Sequence, residues 1–136
     1  MRGESALRMS VKKALDGVGH LSWVESHATS AGIPDLNYCI NGIEGWVELK
    51  WGNFEVKSTQ VRWMEDRVNS GGFPLFLIHI DQQFFMVPGS HAQMLRTNNS
   101  ETSVALLSSS RFVDRICPDN LVRILKNPKG EYKCVY

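Results

Sequence analysis

Asp35, Glu48 and Lys50 are the charged residues of this sequence whose types and spacing best suit chemistry. They fall within GIPDLNYCINGIEGWVELKW, residues 32–51, a stretch otherwise rich in β-forming residues. Its Asn41-Gly42 pair is the favoured turn of a two-residue β-hairpin. We therefore predict a hairpin whose charges belong either to a solvated face or to a reaction centre.

The pairing of the predicted hairpin follows from counting outward from the turn. Ile40 then faces Ile43, and Asp35 faces Glu48 directly. Because strand side chains alternate between two faces, apolar and charged residues separate. One face carries Leu36, Tyr38, Ile40, Ile43, Val47 and Leu49. The other face carries Asp35, Asn37, Cys39, Glu44, Trp46, Glu48 and Lys50.

The predicted contact between Asp35 and Glu48 argues against a plain solvated face. Directly opposed residues have Cβ atoms about 4.5–5.5 Å apart, and like charges there are destabilising. The repulsion is roughly 3–4 kcal/mol at an effective dielectric of about 20, and Lys50 at the diagonal position offsets only part of it. A divalent cation between the carboxylates would remove the conflict. Mg²⁺ suits two carboxylates, with Mn²⁺ as a substitute, and the main-chain carbonyl of Leu49 is a further candidate ligand.

These residues provide the parts for hydrolysis of a phosphodiester. A bound metal ion activates water and neutralises charge on the phosphate oxygens. Lys50 lies about 6.6 Å from Glu48 on the same face. It is suited to position or deprotonate the attacking water, or to stabilise the developing negative charge.

Three further residues are candidates for the same site. Glu4 continues the inner stripe of the first predicted helix, although it also suits the electrostatics of a helix's first turn. Glu25 is the competing acidic residue. Gln60 lies one helical turn before Met64, near the inward face of the second predicted helix, where it can hydrogen-bond water or phosphate.

Hydrophobic periodicity predicts alternating helices and strands along the chain. The predicted helices are Glu4–Val18, Lys57–Ser70 with a cap at Ser58 or Thr59, and a short one from Pro88 to Leu95. The predicted strands, besides the hairpin, are Leu21–Ser26, Phe73–Ile80, Gln83–Val87 and Leu121–Leu125. Thr97–Ser103 is predicted as a loop and Arg111–Ile116 as a helical turn.

The composition is that of one globular domain. The 136 residues are 43% hydrophobic and carry a net charge of +1. No apolar run is long enough to span a membrane. The three cysteines form no C-x-x-C pair, so neither a disulfide framework nor a zinc site is indicated. The N-terminal residues lack the apolar segment of a signal peptide, so we expect a cytoplasmic location.

The sequence resembles the PD-(D/E)XK nucleases. The resemblance rests on Gly32-Ile33-Pro34-Asp35, on Glu48-Leu49-Lys50, and on a helix that carries Gln60 and Trp63 and ends at Gly71-Gly72. It covers about residues 4–80 and is greatest to the VRR-NUC group and to Holliday-junction-resolvase-like enzymes, which are often small phage proteins. The location would then be the cytoplasm of the bacterial host.

The resemblance implies an α/β, restriction-endonuclease-like core, a mixed β-sheet flanked by helices in the order α-β-β-β-α-β. The core would span about residues 4–88, with a C-terminal extension at 89–136 in the same domain. Asp35 and Glu48 would bind the metal, Lys50 would be the catalytic lysine, and Glu4 is favoured over Glu25. Members commonly act on DNA as homodimers.

The leading hypothesis is thus a Mg²⁺-dependent DNA endonuclease specific for branched DNA such as Holliday junctions. The C-terminal extension also fits a site-specific homing or nicking endonuclease of the same superfamily. A protein that binds DNA on a nuclease fold without cutting is a third hypothesis, against which the intact Asp35, Glu48 and Lys50 argue. His27, Lys57 and Arg62 are candidate contacts to DNA.

Overall fold

One mixed β-sheet organises the chain. The computed structural model describes residues 2–24 and 31–130. Six strands in these residues follow one another across the sheet in chain order: β1 (His20–Trp23), β2 (Leu36–Ile40), β3 (Ile43–Trp51), β4 (Leu75–Ile80), β5 (Gln83–Pro88) and β6 (Ser110–Val113). The helices described are α1 (Arg2–Ala14), α2 (Ser58–Asn69), α3 (Ala92–Thr97), α4 (Glu101–Leu107) and α5 (Pro118–Lys126), with a 3₁₀ turn at Gly89–His91.

The sheet contains a single parallel step, between β3 and β4, and its other neighbours are antiparallel. A parallel pair needs a crossover connection, and α2 provides it. The crossover places Val61 and Met64 of α2 in a buried cluster with Phe76 and Ile78 of β4. The helix therefore covers the sheet face onto which Glu48 projects, since Glu48 pairs with Phe76 across the parallel step.

The predicted hairpin register is confirmed. Ile40 pairs with Ile43 and Leu36 pairs with Val47. Asn41 and Gly42 both have positive φ, +51° and +81°, as a type I′ turn requires. Ile43 departs from the predicted apolar face, because it lies at the tip of the hairpin and is exposed.

Two hydrophobic clusters lie on the two faces of the sheet. The first joins α1 and α5 to one face, and its members include Leu7, Leu36, Tyr38, Leu77 and Leu125. The second joins α2, α3 and α4 to the other face. In the first cluster the Tyr38 hydroxyl donates a hydrogen bond to the Leu125 carbonyl at 2.9 Å. Burial raises the pKa of Tyr38 to about 12, so this donor keeps its proton.

Most predicted elements before residue 97 are found, with shifted ends. The first helix ends at Ala14 instead of Val18, and Gly17 follows with a positive φ of 73°. The strand predicted at Leu21–Ser26 is His20–Trp23, and residues 25 and 26 lie outside the described residues. The short helix predicted from Pro88 is the 3₁₀ turn followed by α3.

Three predictions for the last third of the chain were wrong. The loop predicted at Thr97–Ser103 contains the start of α4, and the first half of the helical turn predicted at Arg111–Ile116 lies in strand β6. The strand predicted at Leu121–Leu125 lies inside helix α5, whose buried residues Leu121, Ile124 and Leu125 follow helical spacing. Branched apolar residues in a short run favoured a strand, although Pro118 at the helix start is typical of a helix N-terminus.

Both β6 and α5 fall in the predicted C-terminal extension. They add a strand to the sheet and a helix to the first hydrophobic cluster. The division into a core at 4–88 and an extension at 89–136 stays a prediction. No helix within residues 2–24 and 31–130 combines the length and the apolar character that crossing a membrane requires.

We predict that Gly32→Ala destabilises the fold more than Gly42→Ala does. Both glycines have positive φ, but a Cβ at Gly32 would meet the Thr59 carbonyl oxygen at 2.1 Å, whereas a Cβ at Gly42 would meet nothing within 4 Å. Gly32→Ala should lower the free energy of unfolding by about 2–4 kcal/mol through backbone strain and overpacking. Gly42→Ala should lose only about 1–2 kcal/mol. Urea unfolding of both variants measures the difference, and equal losses would contradict the contact with α2.

Candidate active site

One cavity of about 390 Å³ brings together the residues that the sequence singled out. Asp35 lies at the bend before β2, and Glu48 and Lys50 lie on the face of β3 that α2 covers. Gln60 comes from the first turn of α2, and Glu4 from the first turn of α1. The cavity is also lined by Leu49, Trp51, Asn53, Phe54, Glu55 and Lys57.

The two acidic residues of the hairpin contact each other across the strands. The ladder ends at the pair Leu36 and Val47, so the next residues along, Asp35 and Glu48, face each other just beyond it. The backbone N–H of Asp35 donates to Glu48 Oε1 at 3.2 Å. The backbone N–H of Leu49 donates to Asp35 Oδ2 at 2.9 Å. Each carboxylate is thereby held by a backbone donor from the opposite strand.

The charged face of the hairpin is covered at Glu48 and Lys50, and for these two residues an interpretation as a solvated face is excluded. The relative exposure of Glu48 is 5% and that of Lys50 is 8%. Burial, and next the charge of Asp35, raise the pKa of Glu48 to about 8, and the charge of Lys50 opposes this rise only in part. The Asp35–Glu48 pair therefore does not carry two full negative charges at neutral pH unless a cation compensates them.

Gln60 connects the acidic and basic parts of the site. Its Nε2 donates to Glu48 Oε2 at 2.8 Å, and its Oε1 accepts from Lys50 Nζ at 2.9 Å. The same oxygen accepts the backbone N–H of Lys57, the residue before α2, at 2.9 Å. With donors on one side and an acceptor on the other, the amide has a defined orientation. Gln60 also caps the helix in this way, so the cap predicted at Ser58 or Thr59 was wrong.

The Lys50 ammonium group is held at three points. Besides the bond to Gln60, it donates to the Glu55 carbonyl at 2.7 Å and lies 3.5 Å from Glu48 Oε2. The contact with Glu55 was missed from the sequence. It is made by a backbone carbonyl in the segment between β3 and α2, and a main-chain acceptor leaves no mark in the pattern of side-chain types.

The donor groups present fit a divalent cation at the hairpin. Two carboxylates face each other there, and the buried charge conflict between them is what a cation would relieve. The N–H and C=O of one strand residue leave the strand on the same side. Since the Leu49 N–H points to Asp35, the Leu49 carbonyl lies on that edge too. Within residues 2–24 and 31–130, no three His, Cys, Asp or Glu side chains group around a common metal position.

The remaining candidates are placed differently. Glu4 is partly buried and lines the cavity without completing a three-residue metal cluster. Lys57 is exposed at the cavity wall, whereas Arg62 is exposed on α2 and does not line the cavity. Glu25 and His27 lie outside the described residues. The roles of all these residues stay predictions.

Comparison with known proteins identifies a fold. Neither a protein-family model nor a curated protein sequence matches the chain. A solved structure does: the Holliday junction resolvase Hjc of Archaeoglobus fulgidus superposes with a TM-score of 0.52 over 77% of this chain and 91% of its own. The two chains share a fold. At 16% sequence identity the likeness concerns the fold alone. It confirms the predicted fold class, a restriction-endonuclease-like mixed sheet flanked by helices.

We predict that Glu48→Gln changes how stability depends on pH in metal-free buffer. In the unfolded chain this carboxyl ionises near its ordinary value of 4.5, whereas the folded protein keeps the proton up to about 8. The native protein therefore loses stability as the pH rises from about 4.5 to 8, on the order of a few kcal/mol. Glutamine does not titrate, so the variant should become relatively more stable over that window.

Thermal unfolding of both proteins across the pH range, with a chelator present, measures this effect. Glu44→Gln is the matched control, because Glu44 is exposed on the same strand. Parallel pH profiles for the native protein and Glu48→Gln would contradict the prediction.

Proposed function

We propose that this protein is a Mg²⁺-dependent DNA endonuclease that hydrolyses phosphodiester bonds in branched DNA. The observation that carries the proposal is the cluster of Asp35, Glu48, Lys50 and Gln60 at one cavity, in which Glu48 and Lys50 are buried. Burying charged groups costs several kcal/mol per ion before pairing offsets it. Buried charged groups that line a cavity open to the surface are typical of a reaction centre, where perturbed pKa values are concentrated.

The proposed metal position is between the two carboxylates. Asp35, Glu48 and the Leu49 carbonyl would hold the cation, which when bound supplies Lewis-acid stabilisation of the phosphate oxygens and a more acidic water. Mn²⁺ is expected to substitute for Mg²⁺. The cavity of about 390 Å³ leaves space for water and one phosphate group.

Lys50 is proposed to act on the reacting phosphate or water. Its ammonium group is fixed by Glu55 and Gln60, so it needs little reorganisation when charge develops beside it. Gln60 acts as a positioning residue, because it binds Glu48 and Lys50 with opposite ends of one amide. Lys57 and Arg62 are proposed to contact the DNA backbone, which dominates binding to nucleic acid.

The preference for branched DNA is supported by the fold, which is shared with a Holliday junction resolvase. Membership of the VRR-NUC group and a homodimer are parts of the proposal that follow from the sequence resemblance. Two copies would be needed to cut both strands of a junction, and sedimentation of the purified protein measures their association.

We predict that Lys50→Ala loses cleavage and keeps DNA binding. The expected loss in cleavage rate is about 10²–10⁴-fold, the range for removing one electrostatic or acid–base contribution. Affinity for DNA, measured without metal, should change only a few-fold. Lys126→Ala is the matched control, since Lys126 is an exposed lysine on α5, on the opposite side of the sheet.

The cleavage assay uses a four-way junction, a flap and a linear duplex of the same sequence, each with Mg²⁺, with Mn²⁺ and with a chelator. Cleavage of the junction with either metal and none with the chelator is expected. If the native protein leaves all three substrates intact, the proposal is wrong. DNA binding without cleavage would favour the non-cutting alternative.

A further inference from the structure

Two tryptophans and one arginine form a cluster on the surface beside the candidate site. The rings of Trp46 and Trp63 pack edge to face, with centroids 5.5 Å apart and an interplanar angle of 65°. The guanidinium carbon of Arg67 lies 4.7 Å from the centroid of Trp63 and 5.8 Å from that of Trp46. We call Trp46, Trp63 and Arg67 the tryptophan cluster.

The cluster is built on the same two elements as the candidate site. Trp46 precedes Glu48 by two residues on β3. The two side chains therefore leave the same face of the strand, about 6.6 Å apart along it. Trp63 follows Gln60 by three residues on α2 and therefore lies about one turn further along the same side of the helix. The cluster and the cavity are consequently neighbours on one surface.

Packing of the hydrophobic cores does not account for Trp46. It is partly exposed and belongs to neither of the two hydrophobic clusters formed by the described residues. Trp63 is partly buried and packs against the second cluster. Shallow cavities of about 240 Å³ and 530 Å³ flank the two rings. Large apolar rings next to open space are typical of a recognition surface.

Gly72 makes the arginine's position possible. A Cβ on Gly72 would lie 2.7 Å from Cδ and 2.8 Å from Cγ of Arg67, so the stem of the arginine crosses this glycine. The Gly71-Gly72 pair therefore both ends α2 and lets the guanidinium reach the rings. Among the residues that the structure describes, no carboxylate lies within ion-pairing distance of Arg67, which leaves its charge available to an anion.

We propose that the tryptophan cluster binds an unpaired nucleotide of the DNA substrate, next to the phosphate that is cut. The base would stack on the indole rings and its phosphate would contact Arg67. Stacking on aromatic side chains holds single-stranded bases of any sequence, and a planar guanidinium suits both the phosphate and the rings. The inference rests on the proposed nuclease function and narrows its substrate to DNA with unpaired nucleotides at the cleavage position.

Binding without metal tests the inference separately from cleavage. A labelled single-stranded oligodeoxynucleotide and its duplex are titrated with the native protein and with Trp46→Ala, Trp46→Phe and Arg67→Gln, in the presence of a chelator. Trp46→Ala should bind the single strand about tenfold more weakly, with the duplex affected less, and Trp46→Phe should recover most of the loss. Arg67→Gln should lower the slope of log affinity against log salt by about 0.7.

Trp23→Ala is the matched control. Trp23 also lies under an arginine, with the guanidinium carbon of Arg8 at 4.6 Å from its ring, but it packs against the first hydrophobic cluster on the other face of the sheet. This variant should bind the single strand as the native protein does. Thermal unfolding checks that all variants are folded. Arg67 is exposed, so Arg67→Gln tests DNA binding by the cluster with a change that leaves the hydrophobic core intact.

The outcomes separate the two proposals. If Trp46→Ala and Arg67→Gln bind the single strand like the native protein, or if Trp23→Ala loses as much, the inference is wrong even when branched DNA is cut. If the Trp46-dependent preference is found but no substrate is cut, binding of unpaired nucleotides by the tryptophan cluster stands, whereas the nuclease function and the position beside a cut phosphate fail. Absence of any DNA binding overturns the inference and leaves a protein partner as the occupant of the cluster.

Discussion

The close approach of two carboxylates at the end of the β2–β3 hairpin is the constraint on which the rest of the site depends. The backbone N–H of Asp35 donates to the Glu48 carboxylate at 3.2 Å, and the backbone N–H of Leu49 donates to the Asp35 carboxylate at 2.9 Å. Burial and their mutual repulsion raise the pKa of Glu48 to about 8. The hairpin thus holds two carboxylates that repel each other. The Lys50 ammonium and the Gln60 amide both contact the Glu48 carboxylate.

The parallel step of the sheet explains why the conflict is buried. An antiparallel neighbour would need only a short turn, whereas the parallel pairing of β3 with β4 requires α2 to cross the sheet. That helix covers Glu48 and Lys50 and delivers Gln60 to both of them. The topology therefore places Glu48 and Lys50 in a low-dielectric setting, where electrostatic interactions are stronger than in water.

The hairpin could be predicted from the sequence because local rules determine it. Asn41-Gly42 fixes the turn and the period of two fixes the face of each residue, so the positions of Glu48 and Lys50 follow by counting. The burial of Glu48 and Lys50 depends on the packing of α2 over the sheet, so it could not be predicted from the hairpin sequence. The main-chain carbonyl of Glu55 at Lys50 leaves no side-chain signal. In α5, a short apolar run fits a strand or a helix equally well, and only packing against β2 and β3 decides.

The hydrogen bond from Tyr38 to the Leu125 carbonyl links strand β2 to helix α5. Tyr38 lies on β2 three residues from Asp35, with its ring against Gly45 of the adjacent strand, where a Cβ would approach the hydroxyl oxygen and ring carbons. Loss of α5 would remove both the acceptor of this hydroxyl and the apolar side chains of α5 that share its hydrophobic cluster. The candidate site and the C-terminal helix are therefore not interchangeable modules, and a chimaera that exchanges one would have to exchange the other with it.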